Sequence, residues 1–287
     1  MFHDVVAAKL GEYDLGNAVE QENALQELMQ HYILTSLSRA GLFAEAMFHG
    51  GTCLRIVYGI NRFSQDLDFL LKKPNPHFVW QPYLARVQRD CTQEGIDFEI
   101  QDKSDVDGAM RKAFVKTDSI GKVMTLGLPY GRQTQRKIRI KLEIDTNPPE
   151  GSRFETSYLS FPVTAPITVQ SLASSFATKS HALLCRTYTK GRDWYDLIWY
   201  VGRRIEPNLE LLANALLQQG PWKNEKQEIT VEWLLNALRD KIGTIDWRVA
   251  RSDVQRFLPT KEQEGLQVWS ENFFLHQVAQ MEGYLAD

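Results

Sequence analysis

From Asn17 to Ala40 apolar residues recur every three or four positions, with Ala24, Leu25, Leu28, Met29, Tyr32, Ile33 and Leu37 on one stripe. This spacing predicts an amphipathic helix. After Gly50-Gly51 comes a short apolar pattern of Leu54, Val57 and Tyr58, which predicts a turn feeding a helix capped by Thr52 and ended at Gly59. Leu67 to Leu71 and Ile96 to Ile100 read as strands, with a helix between them that follows Pro74 and Pro76 and runs to Thr92. Alternation is strictest from Ile138 to Asp145. There Ile138, Ile140, Leu142 and Ile144 face one way and Arg139, Lys141, Glu143 and Asp145 the other, a good strand signal. Val115 to Thr117 and Val123 to Leu128 are expected to pair as a hairpin around Ser119 to Gly121.

The pattern changes after the stretch from Asn147 to Pro166, which holds Pro148, Pro149, Gly151, Pro162 and Pro166. Helical spacing then dominates, over roughly 170–186, 193–203, 208–219, 230–242 and 265–285. The expected organisation is an α/β (α+β) domain with a mixed sheet over residues 1–165, followed by an α-helical C-terminal domain over 166–287. A chain of 287 residues with 43% hydrophobic and 24% charged residues buries a sizeable core without disulfide staples. Cys53, Cys91 and Cys185 are odd in number and far apart, so neither a disulfide framework nor a zinc site is expected. That usage suits a reducing cytoplasm. No run of about 18 apolar residues exists, and no membrane partner is expected.

Net charge is −3, but its distribution is uneven. Arg132, Arg136, Lys137, Arg139 and Lys141 form a run without an acid, and six cations between Lys179 and Arg204 face only Asp193 and Asp196. Local basic surface of this kind holds phosphates even on an acidic protein.

The most informative segment is Arg62-Phe63-Ser64-Gln65-Asp66-Leu67-Asp68-Phe69. A strand sends alternate side chains to opposite faces, so Asp66 and Asp68 project the same way, about 7 Å apart, while Leu67 and Phe69 point to the core. Two like charges on one face call for a cation. Mg²⁺ (or Mn²⁺) suits oxygen ligands and keeps positions open for substrate phosphates. Two-metal chemistry activates an attacking hydroxyl and neutralises a leaving pyrophosphate, and it needs a third carboxylate. Glu143, inside its strand, is the first choice; Asp145, at the strand's end, is the alternative. Upstream, Gly50, Gly51 and Thr52 are suited to cradle a nucleotide triphosphate, because glycine lets backbone approach phosphate and a helix N-terminus offers free N–H groups. Ser64 and Arg62 are placed to reach phosphate oxygens, and Arg192 either to contact phosphate or to hold a carboxylate. Asp193 and Asp196, three apart, also suit a purely structural role, with Asp193 as N-cap. Trp194, Trp199 and Tyr200 are expected in the core.

Together, His49-Gly50-Gly51-Thr52-Cys53-Leu54-Arg55, Tyr58-Gly59 and the Arg62 to Phe69 segment resemble the first motif of the AbiEii/AbiGii-type nucleotidyltransferases. These are toxins of type IV toxin–antitoxin and phage-abortive systems, with the MenT toxins as relatives. The likeness continues in Lys141-Leu142-Glu143-Ile144, in Thr178 to Leu183, and in Gly191-Arg192-Asp193-Trp194-Tyr195-Asp196-Leu197. It covers residues 45 to 200 in order; His49 stands where relatives usually carry lysine. The resemblance implies a DNA polymerase beta-like nucleotidyltransferase fold and transfer of a nucleoside monophosphate from an NTP to an acceptor hydroxyl. It assigns Asp66, Asp68 and Glu143 to the metal, Lys179 to the nucleotide's phosphates and a functional role to Asp193. By analogy with the MenT relatives, the acceptor is the 3′ end of tRNA, and a cognate antitoxin is implied. Two other readings compete: the same chemistry on a protein or small-molecule (aminoglycoside-like) acceptor, and a non-catalytic nucleotide-binding regulator. Three acidic positions argue against the last, and the basic strand favours RNA over a small molecule.

Overall fold

A computed structural model describes residues 2–102, 119–128, 136–225 and 228–286. The chain divides into two compact units: one formed by Met1–Gly59, Phe63–Pro148 and Glu155–Val169, the other by Ile60–Arg62, Pro149–Phe154 and Gln170–Asp287. The three residues that lead into the acidic segment, Ile60–Arg62, therefore belong to the second unit.

The first unit is built on a mixed sheet. Its strands are β1 (Ala46–His49), β2 (Asp66–Leu71), β3 (Asp97–Asp102), β4 (Ser119–Leu128), β5 (Arg136–Asp145), β6 (Phe154–Leu159) and β7 (Ala165–Gln170), in the order β3-β4-β5-β2-β1-β7-β6. β2 runs parallel to β5 and antiparallel to β1, β4 is antiparallel to both β3 and β5, and β1 is parallel to β7. Among the described residues, the helices that accompany these strands are α1 (Phe2–Leu10), α2 (Ala18–Arg39), α3 (Gly50–Ile56) and α4 (Gln81–Gln93).

The predicted 17–40 helix is α2, and its start is well specified. Asn17 Oδ1 accepts from the N–H groups of Val19 and Glu20, while Glu20 reaches back to the Gly16 N–H at 2.7 Å, a reciprocal cap close to a capping box. The apolar stripe of α2, including Leu25, Leu28, Met29 and Ile33, is buried in one core with Leu67, Phe69, Ile140, Leu142 and Ile144 of the central strands. Each such side chain contributes about 1.5–3 kcal/mol on burial. Phe69 is ringed by Phe48 at 5.6 Å, Trp80 at 5.8 Å and Phe43 at 6.2 Å. This packing fixes which face of β2 is inward, and so which face carries Asp66 and Asp68.

Several local expectations are corrected. α3 begins at Gly50 with His49 as N-cap, so the glycine pair opens the helix and Thr52 lies inside it. The helix expected after Pro74 and Pro76 is present as α4, from Gln81 to Gln93. Ser119 to Gly121 open β4 and pair with β5, and are not the hairpin's turn; Val115 to Thr117 and Arg132 lie outside the described residues. Strands β1, β6 and β7, too short or too polar for a periodicity argument, go unrecognised in the sequence.

The second unit is helical: α5 (Leu172–Cys185), α6 (Gly191–Gly202), α7 (Leu209–Gln218), α8 (Val231–Ile242), α9 (Trp247–Gln255) and α10 (Glu271–Leu285). The last expected helix splits at Trp269–Ser270 into a 3₁₀ segment, Thr260–Val268, and α10, and α9 is an addition. Trp194 packs edge-on against Trp247 at 5.1 Å and Phe274 at 5.4 Å, and Phe176 stacks on Tyr200 at 4.5 Å. Trp194 and Tyr200 are core residues; Trp199 is half-buried, with Arg203 over its ring at 4.4 Å. Gly191 brings α6 against α9 so closely that a Cβ there would lie 1.8 Å from the Ala250 carbonyl oxygen. Among the described residues, no helix is long and apolar enough to cross a membrane.

Candidate active site

Strand register decides which acidic residues can act together. β2 and β5 pair with Asp66 beside Lys141, Asp68 beside Glu143 and Leu70 beside Asp145. Paired residues of adjacent parallel strands share a face, with backbones about 4.8 Å apart. Asp66, Asp68 and Glu143 therefore project from one face, all half-buried, with Lys141 among them. On the other side of β2, His49 pairs with Asp68, extending the row across β1. Asp145 lies one step further along β5, is buried, and accepts from its own chain's Asn147 N–H at 3.1 Å.

Gly50 sits against this row. Its φ is +78°, a region costly for residues with a Cβ, and an added Cβ would lie 2.6 Å from Asp68 Oδ2. The glycine thus lets the helix start of α3 approach the carboxylate. Gly51 follows in the first turn of α3. Thr52 is fully buried, and its hydroxyl donates to the Asp66 carbonyl oxygen. Ser64, half-buried, has its carbonyl bonded by the side-chain amide of Gln30 at 3.0 Å, and Gln26 does the same for Gln65 at 3.2 Å. The sequence analysis passed over both glutamines. Their signal was a polar pair four residues apart, set among the apolar positions of α2.

The second unit holds a cluster of ion pairs. Lys179 Nζ lies 2.6 Å from Asp193 and 2.8 Å from Asp196. Arg62 is 2% exposed and forks onto Asp196, with its two nitrogens at 2.6 and 2.7 Å from the two carboxylate oxygens. Arg186 reaches the other oxygen of Asp193 at 2.7 Å. Asp193 lies in the first turn of α6, whose N-cap is Lys190, so it is an ion-pair acceptor and not the cap. Arg192 has its guanidinium over the Phe257 ring at 4.2 Å and its Nε 3.8 Å from Asp253. Arg186 and Lys190 were not singled out from the sequence, although Arg186 follows Lys179 by two helical turns.

Electrostatics in this cluster follow from burial competing with pairing. Burial alone would raise the Asp193 and Asp196 carboxyls. Lys179, Lys190 and Arg186 around the first, and Arg62 and Lys179 around the second, outweigh it and hold both well below the usual carboxylate range. Lys179 and Arg62 are pushed up, because their aspartates outweigh the same burial penalty. Lys190 goes the other way: burial, with Arg186, Arg192 and Lys179 nearby and only Asp193 opposing, lowers it to about 8.

The donor set of the strand face tests its suitability for a metal. Carboxylate oxygens suit a hard divalent cation such as Mg²⁺, which takes one or two protein carboxylates and completes its shell with water and phosphate. Among the described residues no three His, Cys, Asp or Glu side chains are grouped so as to hold a metal ion. Asp66, Asp68 and Glu143 thus match Mg²⁺ in donor type, as carboxylate oxygens on one sheet face.

The fold is that of a nucleotidyltransferase, a mixed sheet followed by helices. It matches the crystal structure of a candidate nucleotidyltransferase from H. pylori with a TM-score of 0.51 at 18% identity, covering 90% of this chain and 92% of that one. JHP933 from Helicobacter pylori matches with a TM-score of 0.50, also at 18% identity, covering 94% and 93%. The profile of the AbiEii nucleotidyl transferase toxins of type IV toxin–antitoxin systems matches residues 32–273, and the chain belongs to that family. The match extends well past residue 200, into the helices that sequence reading alone left without a likeness. A comparison with curated proteins gives no match.

Proposed function

We propose that this nucleotidyltransferase toxin transfers a nucleoside monophosphate from an NTP to an acceptor hydroxyl on RNA, the 3′ end of tRNA, with Mg²⁺ or Mn²⁺ held by Asp66, Asp68 and Glu143. The observation that carries this reading is the pairing of β2 with β5, which sets Glu143 beside Asp68 on the face that also carries Asp66. When bound, the divalent ions supply charge neutralisation at the phosphates and lower the pKa of the attacking hydroxyl.

The chain's own residues do the rest. Gly50 and Gly51 open α3, and backbone N–H groups at a helix start suit phosphate oxygens. Lys179, Arg186 and Lys190 outnumber the two carboxylates among them, and this cationic excess supports assigning Lys179 to the nucleotide's phosphates. Asp193 then holds the lysine ammonium in place at 2.6 Å. Arg62 serves as the counter-ion that fixes Asp196. The acceptor assignment draws on the exposed Lys137 and Arg139, which share a face of β5 with Lys141 and Glu143.

Incubation with each labelled NTP, Mg²⁺ and total tRNA tests this reading. Label on RNA is the expected result. Label on protein would move the acceptor, and nucleotide binding without transfer of label would reject the enzyme.

A further inference from the structure

Three consecutive backbone carbonyls lead into the acidic strand, and each accepts a hydrogen bond from a side chain of α2 or α3. The Gln30 amide donates to Ser64 O at 3.0 Å, the Gln26 amide to Gln65 O at 3.2 Å, and the Thr52 hydroxyl to Asp66 O. All three donors are buried, at 1%, 9% and 0% exposure. Gln26 Nε2 also lies 3.2 Å from the Arg139 carbonyl oxygen, so a single amide joins the start of β2 to β5, the strand that carries Glu143.

We propose that Gln26, Gln30 and Thr52 are positioning residues, which fix the backbone of residues 64–66 and through it the direction in which Asp66 and Asp68 project beside Glu143. The inference rests on the carboxylate site proposed above. Where a chain enters a sheet, its peptide planes are not yet locked by a full ladder, and a rotated plane swings the side chain that follows it. Three side-chain donors on three successive carbonyls remove that freedom. The core around them is apolar, with Leu25, Leu28, Met29 and Ile33 on the same helix.

The Gln30 side chain also carries a penalty that packing does not require. Its Oε1 is buried and has no hydrogen-bond partner among the described residues. An unmet buried acceptor is destabilising, whereas methionine fills a similar volume without it. What glutamine adds at this position is the donor to Ser64. Partners of metal ligands are known to set ligand direction in this way, and their loss weakens metal affinity or activity by roughly 10- to 100-fold.

The test uses the full chain with Gln26→Leu and Gln30→Met, singly and together, and three measurements: thermal melting, site-resolved amide hydrogen exchange, and Mn²⁺ affinity by electron paramagnetic resonance. Expected are melting within a few degrees of the parent, faster exchange confined to residues 64–68, and Mn²⁺ binding weakened by roughly 10- to 100-fold. In transfer assays kcat falls while the KM for NTP holds. Unchanged exchange and unchanged Mn²⁺ affinity would overturn the proposal. So would loosening spread evenly over the sheet with a matching drop in melting temperature, the mark of a purely structural pair. Should the double variant not fold, the single variants carry the same readouts. If the parent protein neither binds Mn²⁺ nor transfers label, the functional reading falls by itself. Local exchange then decides the positioning role: faster at 64–68 upholds it, unchanged refutes it.

Discussion

The acidic pair on β2 and the acidic pair on α6 solve the same electrostatic problem in opposite ways. Asp66 and Asp68 are two apart on a strand, half-buried, beside a third carboxylate across the β2–β5 register. Asp193 and Asp196 are three apart on a helix, almost wholly buried, and are neutralised by Lys179, Arg62 and Arg186 at 2.6 to 2.8 Å. The helix acids are buried ion-pair acceptors, an arrangement that locks a scaffold and orients a lysine. The strand acids stand half-buried on a sheet face in register with a third carboxylate. Spacing alone does not separate the two; burial and strand register do.

Substitutions can break this contrast. The largest effect on activity is expected for Asp66→Ala, which removes a proposed metal ligand from a half-buried face. Transfer is abolished while melting stays within about 5 °C of the parent, since no tight core packing is lost. A surviving transfer rate would reject the metal assignment. Asp196→Ala should behave in reverse, its first effect falling on stability. It leaves the Arg62 guanidinium buried without its counter-ion, a loss of about 3–5 kcal/mol in denaturant titration. Retention of full stability would mean that the pair contributes nothing to the scaffold. Gly50→Ala should cost less, about 1–3 kcal/mol for the positive φ and the clash with Asp68, but with a fall in activity larger than that stability loss explains. Activity that merely follows stability would separate Gly50 from the carboxylate row.

The smallest effect is one of pH and sharpens the account of the helix pair. Burial lowers Lys190 to about 8 in the folded protein, against 10.5 for an ordinary lysine side chain. The folded protein therefore binds fewer protons than the unfolded one across that window, and stability rises with pH there. Urea titrations from pH 7 to 11 should show the parent gaining on Lys190→Gln between about 8 and 10.5, with a constant difference below that range. A difference that never changes with pH would show that the lysine is not desolvated. At the acid end the slope has the same sign: Asp193 and Asp196 are lowered, so their contribution is intact above the ordinary carboxylate value of 3.8 and is lost as pH falls below it.

Much of the strand side was legible in the chain. The alternation of Leu67 and Phe69 with Asp66 and Asp68, and of Ile140, Leu142 and Ile144 with Lys141 and Glu143, reports directly which side chains share a face, because a strand has period two. The stripe of α2 was equally plain. The short strand β1 was not, since four residues carry no usable period, and without it the position of His49 beside Asp68 is invisible. Arg62 looked like a phosphate ligand because a cation before an acidic strand has no obvious local partner. Its partner, Asp196, is 134 residues away.

The sequence by itself determined which acids lie on one strand face, which residues turn inward, and the family to which the chain resembles itself motif by motif. Tertiary structure alone decided that Glu143 and not Asp145 stands beside Asp68, that Asp196 belongs to Arg62, and that two glutamines of α2 hold the carbonyls under the acidic strand. The division has a physical cause. Periodicity is a property of neighbouring residues, whereas hydrogen bonds and ion pairs between buried groups are satisfied by whichever donor the packed chain brings near.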